Sequence, residues 1–361
     1  MIEELTIKLS HKQLLEAGKD CEKAAGAVNL IYIKNSDSGI ARKKRADKFY
    51  YFFEGKPVKE KRELERIKKL AIPPAWEEVW ICKSSNGHIQ ATGFDVRKRK
   101  QYRYHPLWNL LRNETKFHHL YEFGKSLPQL RSKMEEDISS KSLTQEKVLA
   151  TVLSLMERTY IRVGNNGYEK MYGSYGLTTL KDKHVSINGD KIAFSFNGKK
   201  GVHHNVNLKN KRLAKIVKEC RDIPGKELFQ YYDEEGNRKS IDSGMVNEYI
   251  KNATGKDFTA KDFRTWAGSL HALDAMKTFE EANTETQKKK NIVTMLDFVS
   301  EKLGNTRTVC KKYYVHPGII RLYEENKLSD YLKNIDGIEK KDSGHELAHS
   351  EEILMRVLKA G

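Results

Sequence analysis

The feature that most limits how this chain can fold is a change in hydrophobic period near residues 105–110. Before it, short segments rich in aromatic and β-branched residues read as strands: "VNLIYIK" (28–34), "KFYYFF" (48–53), "EVWICK" (78–83) and "HIQATGF" (88–94). "SSNG" (84–87) is placed as the hairpin turn between the last two. A helix over 60–70 interrupts them, and the proline pair in "AIPPAW" stops it. From Pro106 onward the pattern is helical. "PLWNLLRNETKFHHLYEFG" comes first, then "SLTQEKVLATVLSLMERTYIRVG", where Ser142 and Gln145 have capping-box spacing and Val148, Val152 and Leu155 share a face. Residues 184–208 break that pattern with three alternating segments and turns at Asn188-Gly189 and 197–201, which predicts a small inserted sheet. The expected fold is therefore α+β. A β-rich N-terminal domain spans residues 1–107, and a larger, mainly helical domain spans 108–361.

Charge narrows the partner. The 66 lysines and arginines exceed the 49 acidic residues, for a formal charge of +17, which favours a polyanion and most simply nucleic acid. No apolar run approaches the ~18 residues of a membrane span, and the N-terminus lacks the basic start and apolar stretch of a signal peptide. The expectation is a soluble cytoplasmic protein on the nucleoid. The four cysteines are scattered without a CxxC pair, so neither a zinc site nor a disulfide framework is indicated. Two basic runs stand out. One is "ARKKRADK" (41–48); the other, "VRKRKQYRYHP" (96–106), interleaves Tyr102 and Tyr104 with Arg97, Lys98, Arg99, Lys100 and Arg103. Placed in a loop after a strand, the second run offers aromatics to bases or sugars and cations to phosphates. Either run alone also fits a solvated surface.

"TVCKKYYVHPG" (308–318) carries two adjacent tyrosines, Tyr313 and Tyr314. A tyrosine hydroxyl, with a reference pKa of ~10, becomes a useful nucleophile where cations stabilise the phenolate. Transfer at a phosphodiester also puts charge on the non-bridging and leaving oxygens, which fixed Arg, Lys or Asn donors can meet. The sequence has no Walker loop and no acidic cluster with metal-ligand spacing, so a cationic pocket without cofactor is the simpler expectation. Arg162 follows a strongly periodic helix in "YIRVGNNGY", near Gly164 and Tyr168. Lys199 and Lys200 lie on the second turn of the small sheet, where a flexible lysine can protonate a leaving alkoxide. In "TAKDFRTWAGS", Thr259 is the expected N-cap with Asp262 at capping-box spacing, and Arg264 falls in the early turns. Each of these residues singly also fits an ordinary salt bridge or surface role. Local chemistry does not separate the two tyrosines.

At these residues the sequence resembles the bacterial, poxvirus-like type IB DNA topoisomerases. The segments that carry the resemblance are "AIPPAWEEVWIC", "GHIQATG", "RKQYRYHP", "RNETKF", "IRVGN", "YGLTTLKDKHV", "NGKKG", "FTAKDFRTWAGS", "LGNT" and "VCKKYYVHP", in family order over roughly residues 25–320. The resemblance implies a C-shaped clamp around duplex DNA, a monomer with no cofactor. A tyrosine would form a 3′-phosphotyrosyl link and release a 5′-hydroxyl, supercoils would relax by swivelling, and the strand would reseal without ATP or metal. Matched by motif, Arg162 and Arg264 bind the scissile phosphate, and Lys199 is the general acid with Arg162 assisting. The nucleophile precedes an apolar residue and His-Pro, which selects Tyr314. Gly164 and Tyr168 support the site, Tyr102 and Tyr104 contact DNA, and Lys200 is counted with the DNA contacts. Poxvirus members have a histidine where this chain has Asn305; the bacterial branch has Asn there. An amide can still donate to a non-bridging oxygen but cannot titrate. The tail, 321–361, carries no motif and is expected to pack on the catalytic domain.

Two other readings compete. A tyrosine recombinase shares the catalytic chemistry, but its histidine three positions before the second arginine is Lys261 here, and the "RKQYRYHP" domain is foreign to it. A non-catalytic clamp on duplex DNA accounts for the charge, though not for Arg162, Lys199, Arg264, Asn305 and Tyr314 in register.

Overall fold

The structure is a computed structural model that describes residues 9, 13, 16–18, 20–34, 37–46, 48–96, 98–279, 282, 284–332 and 346–360. It is a mixed α+β chain, β-rich at the N-terminal end and helical beyond. It divides into two compact units, residues 1–119 and 120–361.

In the first unit, α1 (Cys21–Ala27) is capped by the Asp20 carboxylate, which accepts from the Glu22 and Lys23 amides. Six antiparallel strands follow: β1 (Gly39–Arg45), β2 (Lys48–Phe53), β3 (Lys56–Pro57), β4 (Glu77–Cys82), β5 (Ile89–Phe94) and β6 (Lys100–Tyr104), in the order β3-β2-β1-β4-β5-β6. Helix α2 (Lys61–Lys69) lies between β3 and β4 in sequence. Alternation sends Ile40, Tyr51, Phe53, Val79, Ile81 and Ala91 to one face, where they pack with Ile67 of α2. Arg66 holds that helix to the sheet, donating to Gln90 Oε1 (2.7 Å) and the Cys82 carbonyl (2.5 Å).

One expectation is corrected here. Residues 28–34 are not a strand: Ile31 makes only an isolated bridge to Gly87, through two backbone bonds. The left-handed Asn29 (φ +56°) turns the chain just before it, so pairing never propagates. Conversely, the charge-dense run beginning at 41 is mostly strand β1. Its lysines and arginines hid an alternation that the partner strand's aromatics complete.

The long helix α3 (Pro106–Ile138) runs unbroken through Pro128, and the division between the two units falls within it. Beyond it come α4 (Gln145–Thr159), α5 (Asn166–Tyr172), the small antiparallel sheet β7 (Val185–Asn188), β8 (Lys191–Asn197) and β9 (His203–Lys209), and α6 (Lys211–Arg221). A short hairpin, β10 (Gln230–Tyr232) and β11 (Arg238–Ser240), precedes α7 (Ser243–Thr254), α8 (Ala260–Lys277), α9 (Glu285–Leu303), α10 (Arg307–Tyr313), α11 (Pro317–Glu324), α12 (Ser329–Leu332) and α13 (His349–Ala360). The cap of α4 is Thr144, whose hydroxyl accepts from the Lys147 amide at 3.3 Å, not Ser142. One large core gathers the apolar faces of these elements around the fully buried α4 residues Val148, Val152 and Leu155. Among the described residues, no helix is long and apolar enough to cross a membrane.

The last helix is tied beneath α8 by a buried polar cluster. Glu351 of α13 accepts from Arg131 Nη2 (2.7 Å) and Nη1 (2.8 Å), from Trp266 Nε1 (2.9 Å) and from the Ala348 amide (2.9 Å). Ile353, Leu354 and Val357 join the core alongside. The tail thus packs on the helical unit as expected, with residues 333–345 outside the described residues. Burial alone would raise the Glu351 carboxyl, but the Arg131 and Trp266 hydrogen bonds outweigh it and hold the group below the usual carboxylate range. Removing Glu351 leaves Arg131 with Glu157 alone (2.6 Å) and Trp266 Nε1 without its acceptor, so Glu351→Ala should lower unfolding stability by about 3 kcal/mol in denaturant titrations. A depressed carboxylate stabilises above its unfolded pKa of about 4.3 and loses that contribution as pH falls through its folded value. Wild type should therefore lose its stability advantage over Glu351→Gln on acidification below about pH 4. Equal stability of the two proteins at pH 7 would contradict the cluster's role.

Candidate active site

Arg162, Lys199, Arg264, Asn305 and Tyr314 all belong to the second unit. Helix α4 ends at Tyr160, which takes a left-handed conformation (φ +57°) and sends the chain into an extended stretch. That stretch is pinned on its backbone: Leu177 N donates to Arg162 O (2.9 Å) and Thr178 N to Val163 O (2.7 Å). Gly164 (φ +105°) leaves no room for a side chain, since a Cβ there would meet Thr178 Oγ1 at 2.9 Å. Arg162 is therefore delivered by a rigid strap.

Arg264 lies in the second turn of α8. The Asp262 carboxylate starts that helix by accepting from Thr259 N (2.8 Å) and Thr259 Oγ1 (2.9 Å). The arginine is 5% exposed. Its Nη2 donates to Leu303 O at 2.6 Å and its Nη1 to Tyr160 O, while Nε has no partner among the described residues. Asn305 follows Gly304, the left-handed cap of α9 (φ +56°). Its amide donates to Leu303 O (3.2 Å), and its Oδ1 accepts from Arg162 Nη2 (2.8 Å), which also donates to Gly304 O (3.2 Å). The unsatisfied carbonyls at the C-terminal ends of α4 and α9 thus receive both guanidinium groups.

Tyr314 caps α10, its amide donating to Cys310 O at 2.9 Å. Its main chain lies against Gly268 of α8, where a Cβ would come within 2.6 Å of Tyr314 O. Ser269 Oγ donates to Tyr314 O (3.3 Å) and accepts from His316 N (3.1 Å). The Tyr314 ring centroid is 5.3 Å from Arg264 Cζ, and the tyrosine acts electrostatically on both guanidinium groups. Tyr313 differs: it is 37% exposed, and its ring faces Lys312 Nζ at 5.4 Å. The two tyrosines that local chemistry left tied, and between which the resemblance selected Tyr314, are therefore in distinct surroundings.

Burial is the main influence lowering Arg162, to about 10, with Arg264 adding to it and Tyr314 opposing. Burial also lowers Arg264. Among the described residues neither arginine is paired with a carboxylate. Two adjacent cations, one buried and one half-buried, offset among the described residues only by neutral oxygens favour a bound anion. Cys310, fully buried beside them, is pushed up to about 11 by burial despite both arginines, as suits an inert thiol.

Lys199 and Lys200 are exposed on the turn between β8 and β9. Lys199 Nζ is 6.0 Å from the ring centroid of Tyr168, itself 45% exposed on α5. The hairpin is locked across its open face, where His203 Nδ1 meets Asn197 Oδ1 (3.0 Å) and Nε2 meets Ser195 Oγ (3.3 Å).

In the first unit, the run 96–106 is not the expected loop. Lys100–Tyr104 form edge strand β6, because its polar–aromatic alternation pairs in register with β5. Tyr102 and Tyr104 stack at 5.7 Å and are 41% and 39% exposed. Lys100 Nζ lies 5.8 Å from the Tyr102 ring. Lys98 pairs with Glu77, and Arg99 with Asp95 at 2.6 Å, bracing the tight β5–β6 turn. Arg103 donates to Ala71 O (2.7 Å). Arg97 lies outside the described residues. Sequence reasoning missed the rest of this face. The row Phe52–Ala41–Trp80–Thr92–Tyr102 runs across five strands, so Phe52, and with it Tyr50 and Lys43, share the face of Tyr102. Lys43 Nζ is 5.3 Å from the Phe52 ring and Arg45 Cζ is 6.0 Å from the Tyr50 ring.

Comparison with known proteins shows the family. The family model described as eukaryotic DNA topoisomerase I, catalytic core, matches residues 98–341, and that of the bacterial DNA topoisomerase IB N-terminal domain matches 48–95. DNA topoisomerase 1B of Acanthamoeba polyphaga mimivirus is 35% identical over 301 residues, covering 81% of this chain and 90% of that protein. DNA topoisomerase I of Monkeypox virus is 25% identical over 259 residues (71% and 79%), and DNA topoisomerase 1B of Vaccinia virus (strain Copenhagen) is 24% identical over the same length. The chain belongs to the type IB DNA topoisomerases. It is thus a DNA-binding isomerase.

Proposed function

We propose that this topoisomerase relaxes supercoiled duplex DNA through a transient 3′-phosphotyrosyl link at Tyr314. The phenolic oxygen gives its proton to water and attacks the scissile phosphorus, the bond to the 5′-oxygen breaks, and Lys199 gives that oxygen a proton, with Arg162 assisting. Arg162, Arg264 and the Asn305 amide hold the non-bridging oxygens as their charge grows. Religation is the reverse, and because the phosphotyrosyl bond conserves the energy of the phosphodiester, the cycle needs neither ATP nor metal. The observation that carries this reading is Tyr314 beside the buried Arg264 and the half-buried Arg162, neither paired with a carboxylate among the described residues. We assign the β-rich region to DNA binding and the helical remainder to catalysis, the two closing as a C-shaped monomeric clamp on the duplex in the cytoplasm. Tyr102, Tyr104, Tyr50 and Lys43 on one sheet face support the first assignment, as do Tyr168 and Lys200 for contacts near the cleavage site.

In EDTA and without ATP, wild type should relax both negative and positive supercoils. Tyr314→Phe should bind the plasmid and leave its linking number unchanged. Relaxation by Tyr314→Phe, or loss of it in Tyr313→Phe, would overturn the assignment. For the sheet face, Lys43→Ala should weaken binding to unrelated duplexes alike and reduce the slope of log affinity against log salt by about 1. An unchanged slope would take that face off the DNA.

A further inference from the structure

Lys199 has a long, flexible side chain on an exposed turn, so its use as a proton donor depends on what fixes that turn. The residue placed to do so is His204, on β9. Its ring stacks on Phe196 of β8, with centroids 5.2 Å apart and planes 21° apart. The same ring fills the space beside two glycines from distant parts of the chain. A Cβ on Gly198 would come within 2.5 Å of His204 Cδ2 and 2.6 Å of Nε2, and a Cβ on Gly304 within 2.8 Å of Cε1. Gly198 immediately precedes Lys199. Gly304 immediately precedes Asn305 and accepts from Arg162. The imidazole therefore connects the lysine turn to the corner that carries the asparagine and receives the first arginine.

We infer that His204 is a positioning residue for this reaction, a wedge that sets the distance between Lys199 and the Arg162–Asn305 pair. The inference rests on the reading of Lys199 as proton donor. Its contacts to both glycines are edge contacts of the ring, so the role is one of shape and not of proton relay. The ring's surroundings agree: burial first, then Arg162, Arg264 and His203, push its pKa down, so it stays neutral at pH 7. His203 clamps the other face of the same hairpin to Asn197 and Ser195, leaving the turn few ways to shift while His204 is in place.

The test uses single-turnover cleavage of duplex DNA carrying either the ordinary 5′-oxygen or a bridging 5′-sulfur at the scissile bond. A thiolate leaves without a proton donor, so sulfur erases defects in proton delivery and nothing else. Lys199→Ala should slow the oxygen substrate by about 10²–10⁴-fold and recover on sulfur. His204→Ala should slow the oxygen substrate by about 10–100-fold, as expected for a misplaced group, and also recover on sulfur. The double variant should be no slower than Lys199→Ala alone. Thermal midpoint and duplex affinity should stay near wild type. If His204→Ala unfolds, His204→Gln retains much of the bulk and is measured instead. Equal slowing of the variant on both substrates, or defects that multiply in the double variant, would overturn the inference. Failure of Lys199→Ala to recover on sulfur would remove the lysine from the acid role; the double variant still decides whether His204 acts through it.

Discussion

Two guanidinium groups held side by side, Arg264 buried and Arg162 half-buried, set the terms for the rest of this molecule. Arg162 and Arg264 are partly discharged of their cost by carbonyl oxygens at the ends of α4 and α9, where helix dipoles favour cations. Carbonyls carry no net charge, so the mutual repulsion of the pair persists and adds to burial, the larger cause, in lowering the pKa of Arg162. In the proposed reaction a phosphodiester would supply the missing charge, and the Tyr314 ring stands beside Arg264, where attack is proposed.

Much of the surrounding fold serves to keep those cations in place. The strap bearing Arg162 needs glycine at 164 because the backbone passes against Thr178. Helix α8 presents Arg264 on one turn and the Gly268–Ser269 seat for Tyr314 on the next, so one rigid element sets the distance between the arginine and the tyrosine. Trp266, between them, donates to Glu351 of α13, which anchors α8 from behind. The same carbonyl, Leu303 O, receives both Arg264 and Asn305, so the asparagine and the second arginine share one reference point.

Legibility in the sequence tracked how local the signal was. The helical unit, its inserted sheet and the start of α8 were readable because periodicity and turn glycines are local. The strand character of 39–45 and 100–104 was not, because dense lysines and arginines mask the alternation that edge and neighbouring strands need. The residues 28–34 show the converse error: β-branched composition without a partner strand gives only a bridge. Within the site, residue types were legible, whereas the difference between Tyr313 and Tyr314 lay in contacts with Gly268 and Arg264, 45 to 50 positions away in sequence. Nothing local marks His204, since its neighbours Gly198 and Gly304 meet only in three dimensions.

The central claim is that the phosphate held by the arginine pair is transferred to Tyr314. The most direct measurement traps wild-type protein on a duplex whose short 5′-leaving strand dissociates after cleavage, then digests the product and sequences the DNA-bearing peptide by tandem mass spectrometry. The account predicts a nucleotide adduct in the peptide beginning at Tyr313, with the added mass on Tyr314. An adduct on Tyr313, on a residue outside this peptide, or no protein-linked 3′ end at all would contradict it.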